Sequence, residues 1–254
     1  MKSTLLLLAA VLLALPAFAV QYDQDVTPDV IFGTGNANGA FTTDVQNMGS
    51  YTIELGLRGK LRYNASGNPE NTFNSANDGT YIFKNDVAPG QPSHTPIWNF
   101  EWAVNVDQLS PGANPGNTLD DLTYQLFLDF DPAAGVIDGP PPYDPIYPVS
   151  IFIVPDNALG DNSFGNGAGV ETNDYNTYSD WMSIYNVAQN SHNYAMYQFF
   201  GYEIDPTVPG VFDISLVAFD AGVEVARTAI QIITMEVPVA VEATAWDNLK
   251  ALYR

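Results

Sequence analysis

From residue 51 to residue 63 the odd positions are Tyr51, Ile53, Leu55, Leu57, Gly59, Leu61 and Tyr63, and the even ones are Thr52, Glu54, Gly56, Arg58, Lys60 and Arg62. A period of two held over that length fits one long β-strand, or two continuous ones, with one buried and one wetted face. Trp98, Phe100, Trp102, Val104 and Val106 repeat the pattern against Asn99, Glu101, Ala103, Asn105 and Asp107, which places both tryptophans in a core. Leu122, Tyr124, Leu126 and Leu128 repeat it again. Shorter strands are expected over residues 80–84, 150–154 and 193–199.

Residues 211–219 and 223–233 flank Asp220-Ala221-Gly222, a hairpin whose glycine is free to take a positive φ. In its second arm Val223 and Val225 are odd while Ile230 and Ile232 are even, so a bulge is expected near Arg227. Only Tyr175, Tyr178, Trp181, Met182 and Tyr185 follow helical spacing, with Thr177 and Asp180 as a capping-box pair; one helix of about three turns is expected. Long Asn-, Asp-, Gly- and Pro-rich loops separate these elements, at residues 64–79, 88–96, 112–117, 131–148 and 157–173. The pattern predicts an all-β chain, an antiparallel β-sandwich of jelly-roll or immunoglobulin-like type with long loops and one short helix.

Residues 1–19 carry Lys2, a leucine-rich run to Leu15 and Ala17-Phe18-Ala19. These are the three parts of a secretory signal peptide, with cleavage expected after Ala19 and a mature protein that is secreted, extracellular or on the cell surface. Residues 20–237 are then a single sandwich domain and 238–254 a tail, in which Trp246, Leu249, Leu252 and Tyr253 share one face of a short amphipathic helix. No second apolar stretch approaches the roughly 20 residues of a membrane span, so no transmembrane anchor is expected in the mature chain. There is no cysteine, which excludes disulfides and thiolate chemistry. With 29 acidic and 8 basic residues the net charge is −21, a field that repels nucleic acid and attracts cations.

No motif advertises catalysis. The histidines, His94 and His192, fall in loop contexts and lack zinc-site spacing, so both are expected to be exposed bystanders. There is no Gly-x-Ser-x-Gly elbow. Glu54 and Glu101 lie on the polar side of their strands, where a solvated sheet face is expected rather than a glycosidase pair. Calcium is the better chemical prospect, because hard cations take several oxygen ligands. Asp129, Asp131 and Asp138, with Asp144 nearby and Asp120 and Asp121 before the strand, form one candidate set; Asp161, with Asp156, Asn162 and Asn166, forms another. The cofactor expectation is accordingly none, or a structural calcium. Tyr178, Trp181 and Tyr185, with Tyr175, could form an aromatic platform for a sugar face.

Three blocks are distinctive: residues 29–39 (DVIFGTGNANG), 54–62 (ELGLRGKLR) and 68–74 (NPENTFN). Together with Gly210, residues 216–220 (LVAFD) and 224–228 (EVART), they resemble the ectodomains of bacterial PEP-CTERM-type exported surface proteins. The resemblance implies export, sorting at the C-terminus and association with an exopolysaccharide or biofilm matrix, and it brings no catalytic residue with it. Here Met235-Glu236-Val237-Pro238 is followed by neither an apolar span nor an arginine cluster, so release or another attachment route is expected.

The first functional expectation is a non-catalytic, exported cell-surface or extracellular-matrix protein, self-assembling through residues 20–29 paired to a neighbour's sheet edge. Its partners would be extracellular polysaccharide or copies of itself. A calcium-dependent carbohydrate-binding module and a secreted polysaccharide-active enzyme are the alternatives.

Overall fold

The computed structural model describes residues 20–236 except 111, 113, 114 and 152. Residues 1–19, expected to be a signal peptide, and the 238–254 tail lie outside the described residues. Ten strands are described: β1 (Gln21–Gln24), β2 (Phe41–Asn47), β3 (Thr52–Leu61), β4 (Thr80–Lys84), β5 (Trp98–Asn105), β6 (Thr123–Leu128), β7 (Ala158–Gly160), β8 (Val187–His192), β9 (Gly210–Asp220) and β10 (Val223–Met235). They form two sheets, in the orders β1-β2-β3-β5-β8-β7 and β4-β10-β9-β6. This is the expected sandwich with one departure: β4 and β10 run parallel, while every other described pair is antiparallel. Among the described residues no helix is long and apolar enough to cross a membrane.

The alternating apolar residues meet between the sheets. Ile53, Leu55 and Leu57 of β3 and Trp98, Phe100 and Trp102 of β5 share one core with Phe212, Ile214 and Leu216 of β9 and Ile230 and Ile232 of β10. Burial of each such side chain contributes about 1.5–3 kcal/mol. In the β9–β10 hairpin Asp220 pairs with Val223, so the connection is the two residues Ala221 and Gly222, at φ 47° and 81°. A type I′ turn needs positive φ at both positions. The bulge falls at Val225, two residues before the expected place, because Glu224 pairs with Phe219 and Ala226 with Ala218.

Three local expectations change. The helix, α1 (Tyr175–Met182), is shorter than three turns and is capped by Asp174, whose side chain accepts from the Thr177 amide at 2.8 Å. In place of the strand expected over residues 150–154, the described residues there show an isolated bridge between Ser150 and Ile153. Residues 193–199 are not a strand but part of a 3₁₀ turn, Tyr194–Phe200, opened by the Asn193 side chain accepting from the Ala195 amide. Tyr194 and Tyr197 are three apart and both buried, which suits a three-residue period.

The largest correction concerns the outer face of the six-stranded sheet. It was expected to be wet, yet Glu54, Arg58, Lys60 and Glu101 are at most 4% exposed. The chain between β1 and β2 folds back over them: Val26, Val30, Ile31 and Phe32 pack with Phe41, Ala103, Ala158 and Val187 in a second apolar cluster. Gly56 permits this approach, since a Cβ there would lie 2.8 Å from Val26 Cγ1. Beneath the cover, Arg58 donates to Glu101 through Nε (2.6 Å) and to the carbonyls of Ala37 (2.9 Å) and Gly39 (2.7 Å). Its guanidinium sits over Phe41 and Phe73, 4.1 and 4.3 Å from the ring centres. Lys60 pairs with Glu101 at 3.7 Å and donates to Asn36. Glu54 accepts from the Thr27 amide (2.7 Å), the Thr27 hydroxyl (3.2 Å) and Gln108 (2.8 Å), and burial pushes its carboxyl up to about 7. The segment expected to seek a neighbour's edge is also engaged at home, as β1 pairs with β2.

Arg58→Met should cost about 3–5 kcal/mol in urea unfolding, because it leaves Glu101 buried with only the longer Lys60 contact at 3.7 Å, and adding Glu101→Leu together with Lys60→Met, which removes every charge of the cluster, should recover a large part of the loss. Glu54 has a second signature. Its folded pKa stands above the ordinary 4.5, so its contribution to stability is full below about pH 4.5 and is lost as pH rises through about 7. Glu54→Gln should therefore remove a decline of roughly 2–3 kcal/mol between pH 5 and pH 8.

Candidate functional site

The side of the sandwich is built differently from its faces. After β6 the chain returns along that strand's free edge, where Tyr143 and Leu126 exchange backbone hydrogen bonds. Asp144 fixes the bend by accepting from the amides of Tyr124, Ile146 and Tyr147 at 2.9–3.0 Å. Tyr178 of α1 locks the next stretch: its hydroxyl donates to the Ile146 carbonyl (2.8 Å) and accepts from Asn157 (2.9 Å). Opposite stands the 3₁₀ turn that follows β8.

Between them lies a cavity of about 390 Å³, within the size range of small-molecule sites. Aromatic rings line it from Tyr143, Tyr147, Tyr197, Phe200 and Tyr202, with Pro140, Pro141, Pro145 and Pro155 beside them. Its rim is apolar and open to solvent: Val149, Ile153, Met196 and Phe200 are 74, 50, 49 and 64% exposed. Side chains of this kind gathered around a concave lining mark an interaction site more often than chance exposure does.

The polar groups in the lining are few: Asp144, Asp156, Asn157 and His192. His192 ends β8, so the exposed-loop expectation is corrected; its ring stands edge-on to Phe100 and Trp102 inside the sandwich wall. Its Nδ1 shares a hydrogen bond with the Tyr197 hydroxyl (3.1 Å), which shares another with that of Tyr143 (2.6 Å). Burial lowers the imidazole to about 4 and raises the Tyr143 and Tyr147 hydroxyls to about 12. Near neutral pH all three are uncharged. Asp156 is exposed and accepts from Asn190 at 3.1 Å.

The site residues proposed from sequence are placed elsewhere or in other roles. Tyr178 is fully buried and offers no ring face to a sugar, which removes that residue from the expected platform. Trp181 and Tyr185 pack edge-on at 6.2 Å, half-buried against the core. Asp129 is buried in the turn after β6, where its Oδ1 accepts from the amides of Asp131 and Asp138 at 3.0 Å and its Oδ2 has no partner. Asp131 accepts from the Ala133 amide, and Asp138 is exposed. Asp161 holds Ser163 through backbone and hydroxyl, and Asn166 binds the cover at the Val30 carbonyl. Among the described residues no three His, Asp or Glu side chains are grouped closely enough to hold a metal ion. Glu54 and Glu101 lie under the cover, away from this cavity. His94 remains a partly exposed loop residue.

No family model matches this chain, and no curated protein or solved structure matches it. The site therefore rests on its own geometry.

His192 gives that geometry a pH signature opposite to that of Glu54. Its folded pKa is depressed, so the unfolded chain takes up a proton that the folded one refuses, and stability falls as pH drops through about 6.5 towards 4. His192→Gln should remove a loss of about 2 kcal/mol between pH 8 and pH 5. The ring carbon resonances of His192 should stay those of a neutral imidazole down to pH 5.

Proposed function

We propose that this chain is a non-catalytic, exported protein of the bacterial cell surface or extracellular matrix, working by holding a mainly apolar ligand in the cavity beside β6. The observation that carries the reading is the lining itself, with five aromatic rings, four prolines and an exposed aliphatic rim around few polar groups. Such a site offers shape and apolar burial, and it leaves most hydroxyls of a sugar without partners. That weighs against the carbohydrate-binding alternative. A binding role is further supported by the state of the ionisable groups: Asp144 is engaged by three backbone amides, and Tyr143 and Tyr197 bond to each other. Export is supported by the leader at residues 1–19, and a matrix setting by the resemblance of residues 29–39, 54–62 and 68–74.

Nile red, a neutral apolar fluorophore, should bind the mature protein saturably at one site. Phe200→Asp and Val149→Asp alter exposed rim positions and should weaken that binding about tenfold or more while leaving urea unfolding within about 0.5 kcal/mol. Unchanged binding in both variants would place the ligand site elsewhere.

A further inference from the structure

We propose that the cavity takes a small organic ammonium ion, an alkyl- or aryl-ammonium with an apolar body; this deepens, and rests on, the reading of the cavity as a ligand site. The argument begins with charge. The described lining holds two carboxylates, Asp144 and Asp156, and neither lysine nor arginine. Asp144 stands in the wall with its oxygens held by three amides, and Asp156 stands exposed at the mouth. Among the described residues no lysine or arginine stands in the lining to offset them: Arg58 and Lys60 are buried under the cover on the outer face of the other sheet, and Lys84 and Arg227 pair with Asp86 and Glu224. An anionic ligand would meet uncompensated repulsion here.

Ring chemistry points the same way. Tyr143, Tyr147, Tyr197, Tyr202 and Phe200 present a set of π-systems, and a cation over such a face gains about 0.5–2 kcal/mol. An alkylated ammonium also needs few hydrogen bonds or none, so a lining poor in donors and acceptors does not penalise its burial as it would a sugar or a carboxylate. The imidazole of His192 fits this chemistry, since burial keeps it from adding a positive charge above about pH 4.

The test compares two molecules of nearly the same shape. Benzyltrimethylammonium and its uncharged carbon isostere, neopentylbenzene, are titrated against bound Nile red. The cation should displace the dye at a concentration about tenfold lower than the isostere, and Asp156→Asn should shrink that ratio several-fold without changing the isostere's own affinity. Asp156 is exposed and an asparagine Oδ1 can still accept from Asn190, so the variant should fold with urea unfolding unchanged within about 0.5 kcal/mol. Equal displacement by the two compounds would overturn the ammonium assignment and leave the apolar site standing. Failure of both to displace the dye, with Phe200→Asp also without effect on dye binding, would remove the site itself.

Discussion

The guanidinium of Arg58 organises more of this molecule than any other group. It is fully buried on the outer side of β3, and a charge in that position is tolerated only when an opposite charge and hydrogen-bond acceptors meet it; Nε and Nη1 are hydrogen-bonded, while Nη2 has only its ion-pair contact with Glu101, at 2.5 Å. Glu101 answers from the neighbouring strand, the carbonyls of Ala37 and Gly39 answer from the chain that folds over the sheet, and Phe41 and Phe73 close the two faces. The cover is thus a requirement of the sheet and not an ornament on it. Thr27 on Glu54, Ile31 on Gln189 and Asn36 on Lys60 continue the same fastening along the segment. Residues 29–39, 54–62 and 68–74, the three distinctive blocks of the sequence, meet here, with Asn71 tying the third to the first. Their distinctiveness has a packing cause, and the cavity lies outside them.

Strand existence was legible in the sequence wherever one face was apolar and the other polar. β3, β5, β6 and the β9–β10 hairpin follow directly from that alternation, and the turn from Gly222. What alternation cannot report is whether the polar face meets water. Glu54, Arg58 and Glu101 look like solvent-facing residues in the sequence, because their partners lie up to 54 positions away and on a different segment. β8 escaped for a related reason. Its Gln189 and Asn190 are buried by pairing with Asp29, Ile31 and Asn157 rather than by being apolar, so a strand flanked on both edges shows no apolar period.

The cavity was less legible than the fold. Its two walls come from lining residues between 140 and 157, which lie outside the ten strands, and from the end of β8 with the 3₁₀ turn after it, and no fixed spacing links them. A signal did exist. Tyr143 and Tyr147 stand in a proline-rich loop, and Met196, Phe199 and Phe200 form an apolar run that the outcome leaves exposed. The aromatics at helical spacing were the more visible set, and one of them, Tyr178, turns out to act from beneath: it holds the Ile146 carbonyl and Asn157, and so sets the wall of the cavity without touching its interior.

Charge explains how such a rim can stay open. Of the basic residues between positions 20 and 236, Arg58 and Lys60 are buried, while Lys84 and Arg227 pair at the surface with Asp86 and Glu224. The fifth, Arg62, is partly exposed over the Tyr63 ring. With 29 acidic against 8 basic residues in the chain, the carboxylates at the surface outnumber the cations that could oppose them, and copies of the chain repel one another before their apolar rims can touch. Screening shortens the range of that repulsion to about 8 Å at physiological ionic strength, without removing it at contact. Self-association through the rim would thus need cations at the surface as well as apolar contact. A small cationic ligand meets the opposite situation, since the field that separates two copies draws it in and the rings then hold it by contact.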